Sequence, residues 1–281
     1  MAVANKQGKK RIGVVAPSRC LPKAAATAVA RHIDDIFDDG SLEVFFHPQC
    51  FHSEGHFAGS DAVRTAAFLE VANDPGIDAV WFARGGYGAA RLVHDLYDRL
   101  GPGARDKEYL GYSDLGVLLA GLQRRGIGRA VHGPMPIDIT RENGEAAITR
   151  ALRWLVSKDD AGLEKTADPS AMRVAFNITV LAHIIGTSSA PELSGRILML
   201  EDIDEYAYAL DRSLYAIMTN QAVASCAGVM LGRISEVREN DPDFGMTPED
   251  IVQYWCERAR VPYLGRCDIG HDADNKIVPF S

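Results

Sequence analysis

The sequence predicts an α/β fold, with a doubly wound parallel sheet in the first half of the chain and a smaller domain behind it. Strand and helix patterns alternate from residue 11 to about residue 135, which is typical of a doubly wound sheet. A polar, charged stretch at residues 158–169 interrupts this pattern, and a different pattern follows. The chain has 281 residues, enough for two domains. We predict domains at 1–157 and 174–281, with a linker at 158–173.

The elements of the first half are predicted from short apolar runs and from apolar residues spaced three and four apart. Predicted strands, some with the loop that follows them, lie at 11–18, 42–46, 79–83, 108–110 and 129–135. Predicted helices lie at 24–37, from Ser60 to the stop signal at 73–76, at 89–100 and at 115–122. Binding sites in such folds lie where the parallel strands end, so the loops after these strands are the candidates.

In the second half, residues 174–181 are strand-like or open a helix, and residues 196–200 form a clear apolar strand. Helices are predicted at 210–221 and 247–260, the latter from a threonine cap followed by proline and two acids. Further strands are predicted at 227–232, 261–264 and 276–280.

Composition limits the classes of function. The net charge of −8 argues against a nucleic-acid or anionic-membrane partner. No apolar run approaches the roughly 20 residues that span a bilayer, so we expect a cytoplasmic protein. Five widely spaced cysteines without a Cys-x-x-Cys pair indicate free thiols in a reducing compartment.

Ser113 is the candidate nucleophile. It lies in the stretch Gly111-Tyr112-Ser113-Asp114, at a predicted sharp turn between a short strand and the apolar helix at 115–122. Such a turn exposes a serine hydroxyl, and backbone N–H groups at the start of the helix can stabilise the oxyanion that its attack creates. The local pattern is Gly-x-Ser-x-x-Gly rather than the Gly-x-Ser-x-Gly of α/β-hydrolases, and an ordinary turn is the alternative.

A serine nucleophile needs a base and an orienting acid. His271, in a short loop between strands, and His132, at a strand end, are the candidate bases, and either could instead be an ordinary loop or packing residue. Four acids within residues 201–205 follow a strongly apolar strand. Such a group of acids is also typical of a solvated turn that caps the next helix. Glu201 is the candidate acid because it comes directly after that strand.

Two loops are candidate ligand sites. Residues 84–88 contain three glycines but miss the dinucleotide pattern, because Arg91 stands where a third small residue is needed. An oxyanion donor is the better interpretation of this loop. His47, Cys50, His52 and His56 have the chemistry of metal ligands, but their spacing matches no standard zinc pattern, so a surface loop is favoured.

Taken together, these motifs resemble the LD-carboxypeptidases, a serine peptidase family that includes muramoyl-tetrapeptide carboxypeptidases and microcin C immunity peptidases. The resemblance covers most of the chain. It is carried by Ala16-Pro-Ser18, Phe57-Ala-Gly-Ser-Asp61, Arg84-Gly-Gly-Tyr-Gly-Ala-Ala-Arg91, Gly111-Tyr-Ser-Asp114, His132-Gly-Pro-Met135, Leu200-Glu-Asp-Ile-Asp-Glu205, Leu210-Asp-Arg212 and Gly270-His271.

The resemblance implies a Ser–Glu–His triad of Ser113, Glu201 and His271. It implies an oxyanion hole from the backbone N–H groups of Asp114 and Gly86, and a homodimer without a metal or other cofactor. It also implies a class I glutamine amidotransferase-like first domain and a swivelling β/β/α second domain. The site would lie in the groove between them.

The implied reaction is release of terminal D-alanine from a cytoplasmic murein tetrapeptide, with Arg84 as our candidate for binding the terminal carboxylate. Arg266 to Ile269 and Ala175 to Ile178 depart from the family pattern near the pocket, which bears on the substrate more than on the chemistry. A peptidase acting on a peptidyl-nucleotide antibiotic therefore stays open, as does a non-catalytic small-molecule binder. A zinc hydrolase built on the histidine loop is a remote further alternative.

Overall fold

The computed structural model describes residues 9–37 and 39–281. Its first sheet has the order β10-β5-β4-β3-β1-β2, and all pairs in it are parallel except β10 with β5. The strands are β1 (Lys10–Val15), β2 (Leu42–Phe46), β3 (Ala79–Phe82), β4 (Glu108–Gly111), β5 (Arg129–His132) and β10 (Val278–Pro279).

Helices cover both faces of this sheet. They are α1 (Lys23–Ile36), α2 (Asp61–Asn73), α3 (Gly116–Arg124) and α4 (Gly144–Ser157). Apolar residues of α1 and α4 share one buried cluster, and those of α2 and α3 share another. Neighbouring residues of a strand enter opposite clusters, as Val14 and Val15 of β1 do. The strands are therefore apolar throughout because both of their faces are buried.

The second sheet is smaller and wholly parallel, in the order β6-β7-β8-β9. Its strands are β6 (Arg173–Asn177), β7 (Ile197–Ile203), β8 (Gly228–Ser235) and β9 (Tyr263–Arg266). Its helices are α5 (Ile178–Ile184), α6 (Ala207–Met218) and α7 (Pro248–Ala259). Thr247 caps α7 in a reciprocal capping box with Asp250, as the sequence signal indicates. The predicted fold class, a doubly wound α/β domain with a smaller second domain, is confirmed.

The predicted helix at 89–100 is wrong. This stretch forms two short 3₁₀ turns, Ala89–Arg91 and Tyr97–Arg99. The Ala89 N–H donates to Asp114 Oδ2 at 2.9 Å, and the buried Tyr97 hydroxyl donates to the Val117 carbonyl at 3.3 Å. These tertiary contacts fix the segment in a non-helical path although its apolar spacing suits a helix.

The chain ends by returning to the first sheet. After β9, residues 267–277 cross back, and β10 pairs Val278 with His132 of β5. His271 therefore lies on a segment held at one end by each sheet. The division into 1–157, 158–173 and 174–281 stays a prediction. No helix among residues 9–37 and 39–281 is long and apolar enough to span a membrane.

Candidate active site

Ser113 occupies a strained strand-to-helix turn. β4 ends at Gly111, and Ser113 begins a 3₁₀ turn that runs into α3. Its φ is +60°, in the left-handed region that non-glycine residues seldom adopt. Nucleophilic serines at the strand-to-helix turns of hydrolases have this kind of backbone, which lifts the hydroxyl away from the sheet. The sharp turn is present as predicted, with Ser113 half-buried.

The glycine pair after β3 lies directly against this serine. A Cβ atom on Gly85 would stand 2.9 Å from Ser113 Oγ, so only glycine fits there. Gly86 has a φ of +109°, and its N–H donates to no other residue in the part of the chain that the structure describes. The Asp114 N–H lies in the first turn of the 3₁₀ helix, where N–H groups have no partner within the helix. Both groups are available to bind an oxyanion.

Buried polar contacts tie the surrounding loops together. The Asp114 carboxylate accepts hydrogen bonds from Ser18 Oγ, in the loop after β1, and from the Ala89 N–H. Arg64 of α2 is fully buried and donates to the carbonyls of Pro17, Gly59 and Gly88. Burial raises the pKa of Asp114, and its hydrogen bonds oppose that shift. The loops that flank Ser113 are therefore fixed in position before any substrate binds.

Glu201 and His271 form a buried pair. Glu201 lies within β7 with no exposed surface, and its Oε2 accepts a hydrogen bond from His271 Nδ1 at 2.5 Å. Burial lowers the pKa of His271, but the Glu201 charge and hydrogen bond outweigh it, so the pKa of His271 is raised. A carboxylate on Nδ1 fixes the tautomer whose Nε2 is free to accept a proton.

The neighbouring acids have different roles. Asp202 is buried and accepts hydrogen bonds from Asn177, from the Thr179 N–H and hydroxyl and from the Ile203 N–H, which ties the start of α5 to β7. Burial and the Glu201 charge raise the pKa of Asp202 to about 6. Asp204 is exposed and forms an ion pair with Arg238 at 2.6 Å. The sequence favoured Glu201 within this group, and only Glu201 bonds to His271.

Tyr112 connects the serine turn to His271. The two rings lie 4.8 Å apart between centroids, and the Tyr112 hydroxyl donates to Asp138 at 2.8 Å. His271 thus packs on the residue before Ser113. Among the described residues, no hydrogen bond joins Ser113 Oγ to His271. In serine enzymes without substrate this contact is often long and tightens on binding. The triad roles stay a prediction.

His132, the competing base, also packs against Tyr112. Its ring centroid is 5.6 Å from that of Tyr112, and burial lowers its pKa. His132 Nε2 bonds to Asn275 Oδ1 at 3.0 Å, and this oxygen also accepts from the Gly270 N–H at 3.2 Å. His132 therefore supports the loop that carries His271.

The histidine loop does not assemble into a metal site. His47 Nδ1 accepts from the Gln49 N–H at 3.1 Å, and buried Cys50 donates its thiol to the Val14 carbonyl. Within residues 9–37 and 39–281, no group of three or more potential ligands is close enough to hold a metal ion.

Sequence reasoning missed three residues of the site. Arg64 sits on a helix, where a charged residue normally predicts a solvated face, and Asn275 lies in a polar loop without a motif. Tyr112 follows the glycine of the serine motif, but nothing local signals its contacts with two histidines. Each owes its role to neighbours distant in the chain.

The two sheets and the strained serine turn fit a hydrolase of the serine peptidase class. Family models for the LD-carboxypeptidase N-terminal domain and the LD-carboxypeptidase C-terminal domain match residues 12–133 and 173–281. The chain belongs to the LD-carboxypeptidase family, and the resemblance seen in its motifs is confirmed.

Relatives match over nearly the whole chain. A murein tetrapeptide carboxypeptidase of Pseudomonas aeruginosa is 28% identical, covering 96% of this chain and 91% of its own length. A putative carboxypeptidase of Synechocystis is 29% identical, covering 96% and 88%. The crystal structure of muramoyltetrapeptide carboxypeptidase from Oxalobacter formigenes has a TM-score of 0.79 at 26% identity, covering 97% of this chain and 93% of that one. MccF in complex with glutamyl sulfamoyl guanosine has a TM-score of 0.75 at 17% identity, covering 100% and 97%, which is a likeness of fold.

Proposed function

We propose that this chain is a serine carboxypeptidase that releases terminal D-alanine from a murein tetrapeptide by cleaving an L,D-peptide bond. One observation carries the proposal: a buried glutamate–histidine pair packs on the residue before a strained serine, and the N–H groups of Gly86 and Asp114 beside that serine have no partner among the described residues. The names of the relatives from Pseudomonas and Oxalobacter support the substrate class.

In the proposed mechanism, His271 Nε2 takes the proton from Ser113 Oγ as this oxygen attacks the carbonyl carbon of the scissile bond. The tetrahedral oxyanion binds to the N–H groups of Gly86 and Asp114. His271 then donates the proton to the leaving D-alanine nitrogen, and an acyl-enzyme remains on Ser113. Water, deprotonated by His271, attacks the acyl carbon; the bond from this carbon to Ser113 Oγ then breaks, the shortened peptide leaves with a new carboxylate, and His271 returns the proton to Oγ.

Glu201 has two roles in this scheme. Its hydrogen bond to Nδ1 holds His271 in the productive tautomer, and its charge stabilises the imidazolium that forms when the serine proton moves. The same charge already raises the pKa of His271 in the protein without substrate. Arg84, which immediately precedes the glycine pair, is proposed to bind the terminal carboxylate of the substrate.

A cytoplasmic place in peptidoglycan recycling and a homodimeric assembly, both implied by the family, complete the proposal. The substrate would be a free tetrapeptide, and the proposed reaction involves no nucleic-acid partner, no membrane partner and no cofactor.

Incubation with the tetrapeptide, followed by detection of free D-alanine, tests the function. The wild-type protein should release D-alanine and Ser113→Ala should not. No release by the wild type, or full release by the variant, would reject the proposal. An aminoacyl-sulfamoyl adenylate assayed in parallel distinguishes a peptidyl-nucleotide substrate, which would be cleaved in place of the murein peptide.

A further inference from the structure

Two arginines without an acidic partner stand beside the proposed oxyanion hole. Arg19 and Arg84 are both half-buried, and within the described residues neither forms an ion pair with a carboxylate. The Arg84 guanidinium donates one hydrogen bond, to the Cys20 carbonyl at 3.3 Å. By contrast, Arg64 pairs with Asp61 and Arg233 pairs with two aspartates, whereas half-buried Arg150 bonds only to the carbonyls of Ala273 and Asn275, away from the serine turn.

The backbone places both arginines next to the nucleophile. Arg84 directly precedes Gly85, whose α-carbon faces Ser113. The Arg19 side chain lies across Gly86, where an added Cβ would stand 2.8 Å from Arg19 Cγ.

The loop that carries Arg19 is also held in place. Ser18, the preceding residue, bonds to the carboxylate of Asp114, which follows Ser113 in the chain. Pro17 is fixed through its carbonyl by Arg64. Each arginine is therefore one residue away from a contact with the serine turn, and neither depends on a long flexible loop for its position.

The two positive charges interact unfavourably. Burial lowers the pKa of Arg84, and the charge of Arg19 lowers it further. Like charges held together without a neutralising acid cost free energy, and an anion that binds between them removes that cost. A guanidinium presents paired donors that match the two oxygens of a carboxylate.

We propose that Arg19 and Arg84 together bind the free carboxylate of the residue that leaves during cleavage. This inference rests on the proposed function and adds Arg19 to it. The ligand class is a peptide that ends in a free carboxylate one residue beyond the scissile bond. The pair then explains selectivity for the last residue, because an amide or a longer chain would leave both charges without a partner.

Binding of a product-like ligand tests this without turnover. Calorimetry would compare N-acetyl-D-alanine with N-acetyl-D-alaninamide on the wild type, Arg19→Gln, Arg84→Gln and the double variant. The wild type should prefer the acid on the order of tenfold or more, because at least one charge-assisted contact is lost with the amide. Each single variant should reduce the preference and the double variant should abolish it, whereas Arg19→Lys should keep part of it.

Arg105→Gln is the matched control, because Arg105 is exposed and lies just ahead of β4, at the opposite end of this strand from Ser113. It should behave as the wild type. Equal binding of acid and amide, or binding of neither, would overturn the proposal. An unchanged preference in Arg19→Gln would remove Arg19 from it. Tighter binding of adenosine monophosphate that is lost in the same variants would assign the site to a phosphate instead.

Assay of D-alanine release from the tetrapeptide on the same samples separates the two proposals. An acid preference without release rejects the proposed function and keeps the anion site. Release without an acid preference keeps the function and rejects the anion site.

Discussion

Replacing Glu201 by glutamine removes the charge of the buried pair while keeping the shape of the side chain. Glu201 has no exposed surface and makes one hydrogen bond, to His271 Nδ1 at 2.5 Å. The amide oxygen of glutamine can still accept that hydrogen bond, but it cannot stabilise an imidazolium. The amide nitrogen can also donate to Nδ1, which would hold the ring in the tautomer that cannot accept a proton from serine.

The size of the effect follows from these two losses. A hydrogen bond to a charged group contributes about 1.5–3 kcal/mol, or about 10- to 150-fold in rate if it is lost only in the transition state. A wrong tautomer brings the total loss to on the order of 10⁴-fold in kcat. We therefore expect Glu201→Gln to lower kcat by about 10²- to 10⁴-fold with little change in KM.

The pH profile supplies a second readout. The base must be neutral to act, and Glu201 raises the pKa of His271 above its usual value of 6.5, so the acidic limb of kcat/KM lies above that value in the wild type. Glu201→Gln removes the two main causes that raise the pKa of His271, and burial then lowers it against the smaller effects of the Asp202 and Asp138 charges, so the limb should move to lower pH.

D-alanine release measured across pH on both proteins checks this prediction. Asp204→Asn is the matched control, because Asp204 is an exposed acid on the same segment and its carboxylate pairs with Arg238. It should keep the wild-type rate and profile. A Glu201→Gln enzyme with the wild-type rate, or with its acidic limb unmoved, would refute the reasoning.

Other variants and treatments test separate parts of the account. Arg64→Leu leaves three buried carbonyls without their hydrogen-bond donor and should lower the free energy of unfolding in urea by at least about 3 kcal/mol. A loss below about 1 kcal/mol would show that the loops do not depend on Arg64. Gly86→Ala places a methyl group against the Arg19 side chain, at a φ of +109°. It should lower the free energy of unfolding by about 1–3 kcal/mol and remove most of the D-alanine release, whereas a fully active, equally stable variant would show that alanine fits at this position. The Glu201–His271 pair contributes stability that is fully present below the usual histidine pKa and is lost as pH rises through the raised one, so Glu201→Gln should lower the melting temperature more at about pH 5 than at about pH 9. A chelating agent should leave activity unchanged, since Cys50 is buried against Val14; a loss restored by zinc would revive the metal alternative.

Local chemistry made much of the fold predictable. Parallel strands buried on both faces must be apolar throughout, and helices against them must carry one apolar stripe, so the alternation in the first half is visible in the sequence. The turn at Ser113 was predictable for the same reason, since a short strand, a glycine and an apolar helix lie within a few residues. Glu201 stood out because an acid that directly follows a buried strand needs a partner.

The rest depends on contacts between distant parts of the chain. The apolar spacing of residues 89–100 suits a helix, and only the bonds from Ala89 and Tyr97 to other elements explain its 3₁₀ turns. Likewise, nothing local shows that β10 pairs with β5 or that Asn275 links His132 to the loop of His271. From the sequence, only the family resemblance connects Ser113 with His271, because the arrangement of the two sheets, and not nearby sequence, brings their segments together.

Covalent labelling with a fluorophosphonate serine reagent, read by peptide mass spectrometry, tests the central claim most directly. The claim is that Ser113 is a nucleophile activated from across the domain boundary by His271. We predict that the wild type is modified at Ser113 alone and that His271→Ala loses this modification while keeping its fold. Labelling at another residue, no labelling of the wild type, or undiminished labelling of His271→Ala would contradict the account.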